Sequence, residues 1–170
     1  MNLKPEMLKM LKHHEGVRFK PYLCPAVIWT VGVGRVLYQE QIKLPVVRKE
    51  GYTGIIRKEF KLRGEDNRVW TQEEVDALLD EDIVRFTRGV ARLVNDRASD
   101  SQFSAMVSFA FNAGLGALQR STIRMKHNRK DYQGAAEAFM MWTKGGGKVL
   151  PGLVKRRIDE KNLYLQGLVA

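Results

Sequence analysis

Residues 15–35, EGVRFKPYLCPAVIWTVGVGR, constrain the fold most, because the hydrophobic period of the chain changes within them. Before this stretch, apolar residues recur at helical spacing: Leu3, Met7, Leu8 and Leu11. Pro5 suits the first turn of that helix, and Gly16 suits its C-terminal cap. Beyond Gly16 the residues are β-branched and aromatic, with prolines at turns, which is typical of short strands. The sequence therefore predicts a helix that ends at Glu15 and leads into a small sheet.

Glu15 falls in the last turn of the predicted helix, where the helix dipole presents partial negative charge. This position disfavours an ionised carboxylate and favours the protonated form, which a general acid needs. A surface glutamate at a frayed helix end is the alternative. The spacing alone does not separate the two.

Two glycines follow Thr30 at alternating positions in the predicted strand. Side chains alternate between the faces of a strand, so Thr30, Gly32 and Gly34 are expected on one face and bulky residues on the other. Two glycines on one face leave a shallow floor that a flat ligand can approach closely. This pattern predicts a binding surface beside Glu15.

The composition is that of a soluble globular protein, with 44% apolar and 28% charged residues. A chain of 170 residues suits one compact unit, or a small lobe beside a larger one. The formal net charge of +10 favours polyanionic partners, including nucleic acid, anionic lipid and the acidic polymers of a bacterial envelope. Charge alone does not choose among them.

The metal-binding and membrane-spanning classes are not expected. One cysteine allows no internal disulfide and no multi-thiolate metal site. The three histidines form no ligand set, so we expect neither a metal nor a cofactor: His13, His14 and His127. No apolar run approaches the roughly 20 residues of a membrane span, and lysines interrupt the first apolar segment, so we expect neither a transmembrane anchor nor a signal peptide.

Residues 36–69 carry the weakest pattern. Gly51, Gly54 and Gly64 divide them into short pieces. The basic run at 57–63 is interpreted as a solvated β-hairpin edge whose lysines discourage edge pairing. A contact with a glycan or an envelope polymer is the alternative.

The remaining chain predicts helices. Thr71 with Glu74 forms a capping-box pattern, and Ser99 with Gln102 starts a second helix. Asn112 lies before Gly114, where it either caps that helix or faces a ligand. Further helices are predicted at 121–128 and 131–142. A glycine-rich turn then precedes the pair Arg156 and Arg157.

The pattern Glu15-x8-Cys24-x5-Thr30, followed by Gly32-Val-Gly34, resembles the signature of phage-type lysozymes, glycoside hydrolase family 24. Members of that family carry Glu, then Asp or Cys, then Thr at this spacing, followed by Gly-x-Gly. The apolar helix that ends at Asn112 and the stretch from Trp142 to the arginine pair are also similar to the family. The resemblance covers most of the chain, except the region near 40–69.

The resemblance implies an α+β, lysozyme-like fold with the active-site cleft between two lobes. The small β-containing lobe is expected at about 16–70, and a helical lobe at about 71–170 together with the N-terminal helix. Both lobes would belong to one domain over 1–170. The implied activity is that of a phage endolysin, a muramidase that cleaves peptidoglycan between N-acetylmuramic acid and N-acetylglucosamine.

The resemblance also assigns site roles. Glu15 would be the general acid, and Thr30 would orient the attacking water. Cys24 stands where an Asp could act as base, and a thiol is ordinarily neutral near pH 7, so a positioning or weakly basic role is expected. Four further residues would bind substrate: Gly32, Gly34, Arg35 and Asn112.

Two open points remain among the arginines. Arg35 either pairs with an acidic side chain or lies at the surface. One of Arg156 and Arg157 either reaches Glu15 or both are ordinary solvated arginines.

The implied partners follow from the same resemblance. We expect peptidoglycan as substrate, a holin for passage through the membrane, no specific nucleic acid, and a monomer. The protein would be made in the host cytoplasm and act on the cell wall in the periplasm. Two alternatives stay open: a lytic transglycosylase, and a basic cell-wall or nucleic-acid binding module with a degenerate site.

Overall fold

The computed structural model describes residues 1–46, 57–95 and 98–168. The chain divides into two compact units. One comprises Glu15–Glu81, and the other comprises Met1–His14 with Asp82–Ala170. The expected single domain over 1–170, with lobes at about 16–70 and 71–170, stays a prediction.

The first helix ends where the sequence indicates. Helix α1 spans Pro5–Glu15 and buries Met7 and Leu11. Gly16 follows with a φ of 73°, a left-handed conformation that glycine adopts without the steric cost of a Cβ. The predicted helix end at Glu15 is therefore confirmed.

The unit Glu15–Glu81 contains a three-stranded antiparallel sheet. Its strands, in both chain and sheet order, are β1 (Arg18–Leu23), β2 (Trp29–Gly32) and β3 (Arg35–Val36). The register pairs Tyr22 with Thr30, and the residues of such a pair share one face of the sheet. The unit's buried apolar side chains include Ile28, Val31, Val33, Tyr38, Val75 and Leu79.

The turn between β1 and β2 holds Cys24 in a defined backbone conformation. The Val27 N–H donates to the Cys24 carbonyl at 2.8 Å, and the Cys24 N–H donates to the Ile28 carbonyl at 3.1 Å. Val27 has a φ of 58°, which is costly for a β-branched residue. Arg57 Nε donates to the Ala26 carbonyl at 2.8 Å. Hydrogen bonds within the turn, together with the one from Arg57, thus stabilise the strained backbone conformation of Val27.

The segment after β3 differs from its prediction. A 3₁₀-helix spans Gln39–Lys43. The hairpin edge expected at 57–63 is wrong, because Arg57 makes only an isolated bridge with Val46 and residues 58–63 form no strand. Gly51 and Gly54, two of the expected breaks, lie outside the described residues.

Helix α2 spans Gln72–Leu93. Thr71 Oγ1 accepts a hydrogen bond from the Glu74 N–H at 3.1 Å, so the predicted start is confirmed. Helix α3 spans Asp100–Ala113, so the predicted helix start at Ser99 is confirmed, and a capping box joins Ser99 and Gln102.

The remaining helices lie in the unit Met1–His14 with Asp82–Ala170. They are α4 (Leu115–Arg120), α5 (Thr122–Asn128), α6 (Tyr132–Ala138) and α7 (Pro151–Gln166), with a 3₁₀-helix at Phe139–Met141 and a short hairpin of β4 (Lys144–Gly145) and β5 (Lys148–Val149) before α7. Helix α3 packs against α7, and its almost wholly buried side chains form the core of this unit. In the part of the chain that the structure describes, no helix has the length and apolar character needed to cross a bilayer.

Candidate active site

The Glu15 carboxylate lies against the turn between β2 and β3. A Cβ added to Gly34 would stand 2.9 Å from Glu15 Oε2, and Gly34 has a φ of +68°. Both the backbone conformation and the close carboxylate therefore require glycine at this position. Glu15 itself is half-buried at the end of α1.

The two glycines do not form the flat strand face that the alternation predicts. Gly34 lies in the turn beyond β2, and Gly32 has a φ of +65°. A Cβ on Gly32 would meet a Val75 methyl group at 3.2 Å. Close approach by Glu15 and Val75 accounts for these glycines without a ligand. Their expected role in substrate binding stays a prediction.

Thr30 is almost fully buried, at 3% exposure. Its Oγ1 donates to the Ile28 carbonyl at 2.9 Å. The hydroxyl proton is thereby engaged by the protein, while the oxygen lone pairs can still accept a hydrogen bond from a ligand or a water. Thr30 is also the direct cross-strand partner of Tyr22.

Cys24 is half-buried in the turn that follows β1. It is the only cysteine of the chain, and its thiol is free. Cys24 comes two residues after Tyr22, just beyond the end of β1 at Leu23.

Tyr22 connects the three residues expected to be catalytic, and the sequence reasoning missed it. Burial raises the pKa of the Tyr22 phenol, the nearby Arg18 charge lowers it, and the charges of Cys24 and Glu15 raise it further. The charges of Glu15 and Cys24 therefore act on the Tyr22 phenol. Tyr22 is also the cross-strand neighbour of Thr30 on the adjacent strand β2. Its place two residues before Cys24 was the available signal.

Arg35 makes the acidic pairing that the sequence left open. Its Nη1 lies 3.2 Å from Glu81 Oε2 and donates to the Leu78 carbonyl at 3.4 Å. The side chain is 30% exposed, so this ion pair is partly screened by solvent. The pairing confirms one of the two interpretations of Arg35.

Asn112 and the arginine pair belong to a buried polar network in the other unit. Arg157 donates to Asn112 Oδ1, to Glu160 and, at 3.0 Å, to the Trp142 carbonyl. Arg156 Nε lies 3.2 Å from Glu160 Oε1. Both arginines are buried, so their interpretation as solvated residues is wrong.

Glu160 is the residue of this network that sequence reasoning missed. Its carboxylate is fully buried, and it also accepts a hydrogen bond from Ser108 Oγ at 2.8 Å. Glu160 follows Arg156 by four residues and Arg157 by three on α7, which is the spacing of side chains that share a helix face. That spacing was the signal available in the sequence.

Histidine, cysteine and carboxylate groups were also considered as metal ligands. Within residues 1–46, 57–95 and 98–168, no three of them lie together in a group able to hold a metal ion. His14 Nε2 instead pairs with Asp159 Oδ2 at 2.7 Å, and His127 Nδ1 lies 2.6 Å from the Tyr164 hydroxyl.

Comparison with known proteins shows which protein family the sequence resembles. The model of the phage lysozyme family matches residues 12–160. The endolysin of Bacillus phage B103 is 34% identical over 169 residues, which cover 98% of this chain and 55% of that protein. The endolysin of Acyrthosiphon pisum secondary endosymbiont phage 1 is 33% identical over 96% of this chain and 98% of its own length. The chain thus spans about half of the first relative and nearly all of the second.

A solved structure extends the likeness to three dimensions. The muramidase domain of SpmX from Asticaccaulis excentricus superposes with a TM-score of 0.74 at 27% identity, over 97% of this chain and 98% of that one. The expected α+β, lysozyme-like fold is therefore confirmed. From the family match, the relatives and the fold together, the chain belongs to the phage lysozyme family.

Proposed function

We propose that this protein is a peptidoglycan hydrolase, a muramidase that cleaves the β-1,4 bond between N-acetylmuramic acid and N-acetylglucosamine for host cell lysis. The observation that carries the proposal is the Glu15 carboxylate at the end of α1, held against the Gly34 turn. Cys24 and Thr30 belong to the same compact unit of this phage lysozyme family chain.

Glu15 supplies the proton in this mechanism. Cleavage of a glycosidic bond requires a proton on the leaving oxygen while positive charge develops at the anomeric carbon. The close packing of Gly34 limits the positions open to the Glu15 carboxyl group and so directs its proton.

Thr30 and Cys24 act on the water in this proposal. Because the Thr30 hydroxyl donates its hydrogen bond to the Ile28 carbonyl, its oxygen is left to accept a hydrogen bond from the water, which directs a lone pair of the water toward the sugar. Cys24, whose charge acts on the phenol of Tyr22, positions the water or assists its deprotonation weakly.

Four residues contact the substrate in this proposal: Gly32, Gly34, Arg35 and Asn112. In the sheet unit, the backbone at Gly32 and Gly34 and the side chain of Arg35 line the substrate in this proposal. In the helical unit, the exposed Asn112 uses its carbonyl oxygen for Arg157, which leaves its amide N–H groups to donate to a sugar acetamido or hydroxyl oxygen.

The cellular setting follows the endolysin role. The protein would be made in the host cytoplasm, pass the membrane with the help of a holin, and act on the cell wall in the periplasm as a monomer. A net charge of +10 supports binding to an anionic cell envelope.

Replacing Glu15 by Gln tests the proposal. Loss of the proton donor should lower the clearing rate of outer-membrane-permeabilised cells by at least about a hundredfold, since a positioned acid contributes that much. The exposed Glu6 lies on the same helix, so Glu6→Gln makes the same charge change away from the site and should clear cells like the wild type. Undiminished clearing by a folded Glu15→Gln protein would exclude Glu15 as the acid.

Mass spectrometry of the products identifies the reaction. Hydrolysis leaves a reducing-end muramic acid, whereas a lytic transglycosylase leaves an anhydro end. Anhydro products would therefore replace the muramidase assignment by a transglycosylase one. Binding to cell wall without either product would indicate the binding-module alternative.

A further inference from the structure

The hydroxyl group of Tyr22 has no hydrogen-bond partner within the described residues. The groups that act on its phenol do so through burial and charge alone, whereas Tyr38 uses its hydroxyl to bond Asp66. Tyr22 is half-buried, and its oxygen is not enclosed by protein atoms. The hydroxyl is therefore open to a ligand.

Tyr22 stands at the centre of the proposed site. Direct pairing with Thr30 puts the side chains of Tyr22 and Thr30 on one face of the sheet. The charges of Cys24 and Glu15 raise the pKa of the phenol, which indicates that both groups lie near it. The Arg18 guanidinium lies over the Tyr22 ring, with its Cζ 4.6 Å from the ring centroid. This cation–π contact stabilises the position of the ring.

The Tyr22 hydroxyl is suited to donate a hydrogen bond to an uncharged acceptor. Because burial raises the pKa of the phenol, the group keeps its proton at physiological pH and presents an O–H donor. Sugar hydroxyl, ring and acetamido oxygens are uncharged acceptors. A neutral donor matches them without the desolvation cost of a second charge beside Glu15.

We propose that the Tyr22 hydroxyl donates a hydrogen bond to an oxygen of the bound sugar beside the scissile bond and is a further catalytic residue of this site. This role of Tyr22 rests on the proposed muramidase function and adds one contact with its substrate. The ring packs against Arg18, while the hydroxyl serves the substrate.

Replacing Tyr22 by Phe removes the donor and keeps the ring. We expect kcat/KM on soluble, uncross-linked peptidoglycan chains to fall about tenfold, equivalent to about 1.4 kcal/mol, with the melting temperature unchanged. The stability should persist because the hydroxyl bonds no described protein group. Tyr132 is also half-buried and lies in the other unit, so Tyr132→Phe is a matched control that should keep wild-type kcat/KM.

Three results would overturn the role of Tyr22. The first is a kcat/KM of Tyr22→Phe that matches the wild type. The second is a loss accompanied by a clearly lower melting temperature, which would assign the hydroxyl to folding. The third is a shifted pH profile with undiminished kcat at the optimum, because the phenol would then act only through the ionisation of Glu15. If the wild type itself releases no muramic acid product, the muramidase proposal fails instead.

Discussion

Single residues in the β1–β2 region determine the environment of the proposed acid. Cys24 carries a thiol where a carboxylate would be the ordinary base, and an unactivated thiol is in general a poor base near pH 7. Its backbone is fixed by hydrogen bonds with Val27 and Ile28, so a substitution at the side chain leaves the turn intact. The turn and the thiol can therefore be tested separately.

Exchange of Cys24 tests the chemical role of its side chain. Cys24→Ser should keep the fold and lose activity by about tenfold or more, whereas Cys24→Asp should retain activity because a carboxylate can act as base. Turbidity clearing and melting temperature measure the two effects. A fully active Cys24→Ser protein would show that the thiol has no chemical role.

Residue roles were predictable where one local pattern determined them. The end of α1 at Glu15 follows from helical spacing and a glycine cap, and the structure agrees. Tyr22 looked like an ordinary strand aromatic, because its importance depends on the cross-strand register with Thr30. Glu160 was missed for a similar reason, since its burial by Ser108 depends on the packing of α3 and α7.

At the scale of elements, the start of a helix is determined by residues close in sequence, whereas the edge of a sheet depends on contacts with distant residues. Ser99, Ser121 and Asp131 each accept a hydrogen bond from a backbone N–H of the helix they precede, a device that sequence shows directly. The expected hairpin edge at 57–63 failed because side chains hold that segment. Trp29 Nε1 donates to the Phe60 carbonyl at 2.8 Å, and Arg57 reaches back to Ala26.

The capping box of α3 gives a measurable stability. Ser99 Oγ accepts from the Gln102 N–H at 3.1 Å, and Gln102 Oε1 accepts from the Ser99 N–H at 3.0 Å. Ser99→Ala removes one of these bonds and should lower the free energy of unfolding by about 1 kcal/mol. Ser99→Asp keeps an acceptor and should stay near the wild type in urea denaturation. If Ser99→Ala is as stable as the wild type, the Ser99 cap makes no contribution to the free energy of unfolding.

At the scale of the whole molecule, a buried histidine makes stability depend on pH. His127 is 3% exposed, and burial lowers the pKa of its imidazole. The unfolded chain therefore takes up a proton below about pH 6.5 while the folded chain resists it. This contribution to stability is present above that pH and is lost as the pH falls toward the lowered pKa.

His127→Gln tests this dependence. The free energy of unfolding of the wild type should fall between pH 7.5 and pH 5.5, by at most about 1.4 kcal/mol for each pH unit, the limit for one proton, and the melting temperature should fall with it. His127→Gln should lose less over the same range, whereas His13→Gln, at an exposed position, should behave as the wild type. Identical pH slopes for all three proteins would assign the acid sensitivity to other groups.

The contact between Gly34 and Glu15 also limits how this enzyme can evolve. A methyl group at position 34 would displace the Glu15 carboxylate, and the left-handed backbone there penalises every L side chain. Selection for a different working acidity or a different glycan would therefore have to act through positions such as 18 and 22, where side chains already exist to be exchanged. Substitution of the glycine beside the proposed acid is therefore strongly restricted.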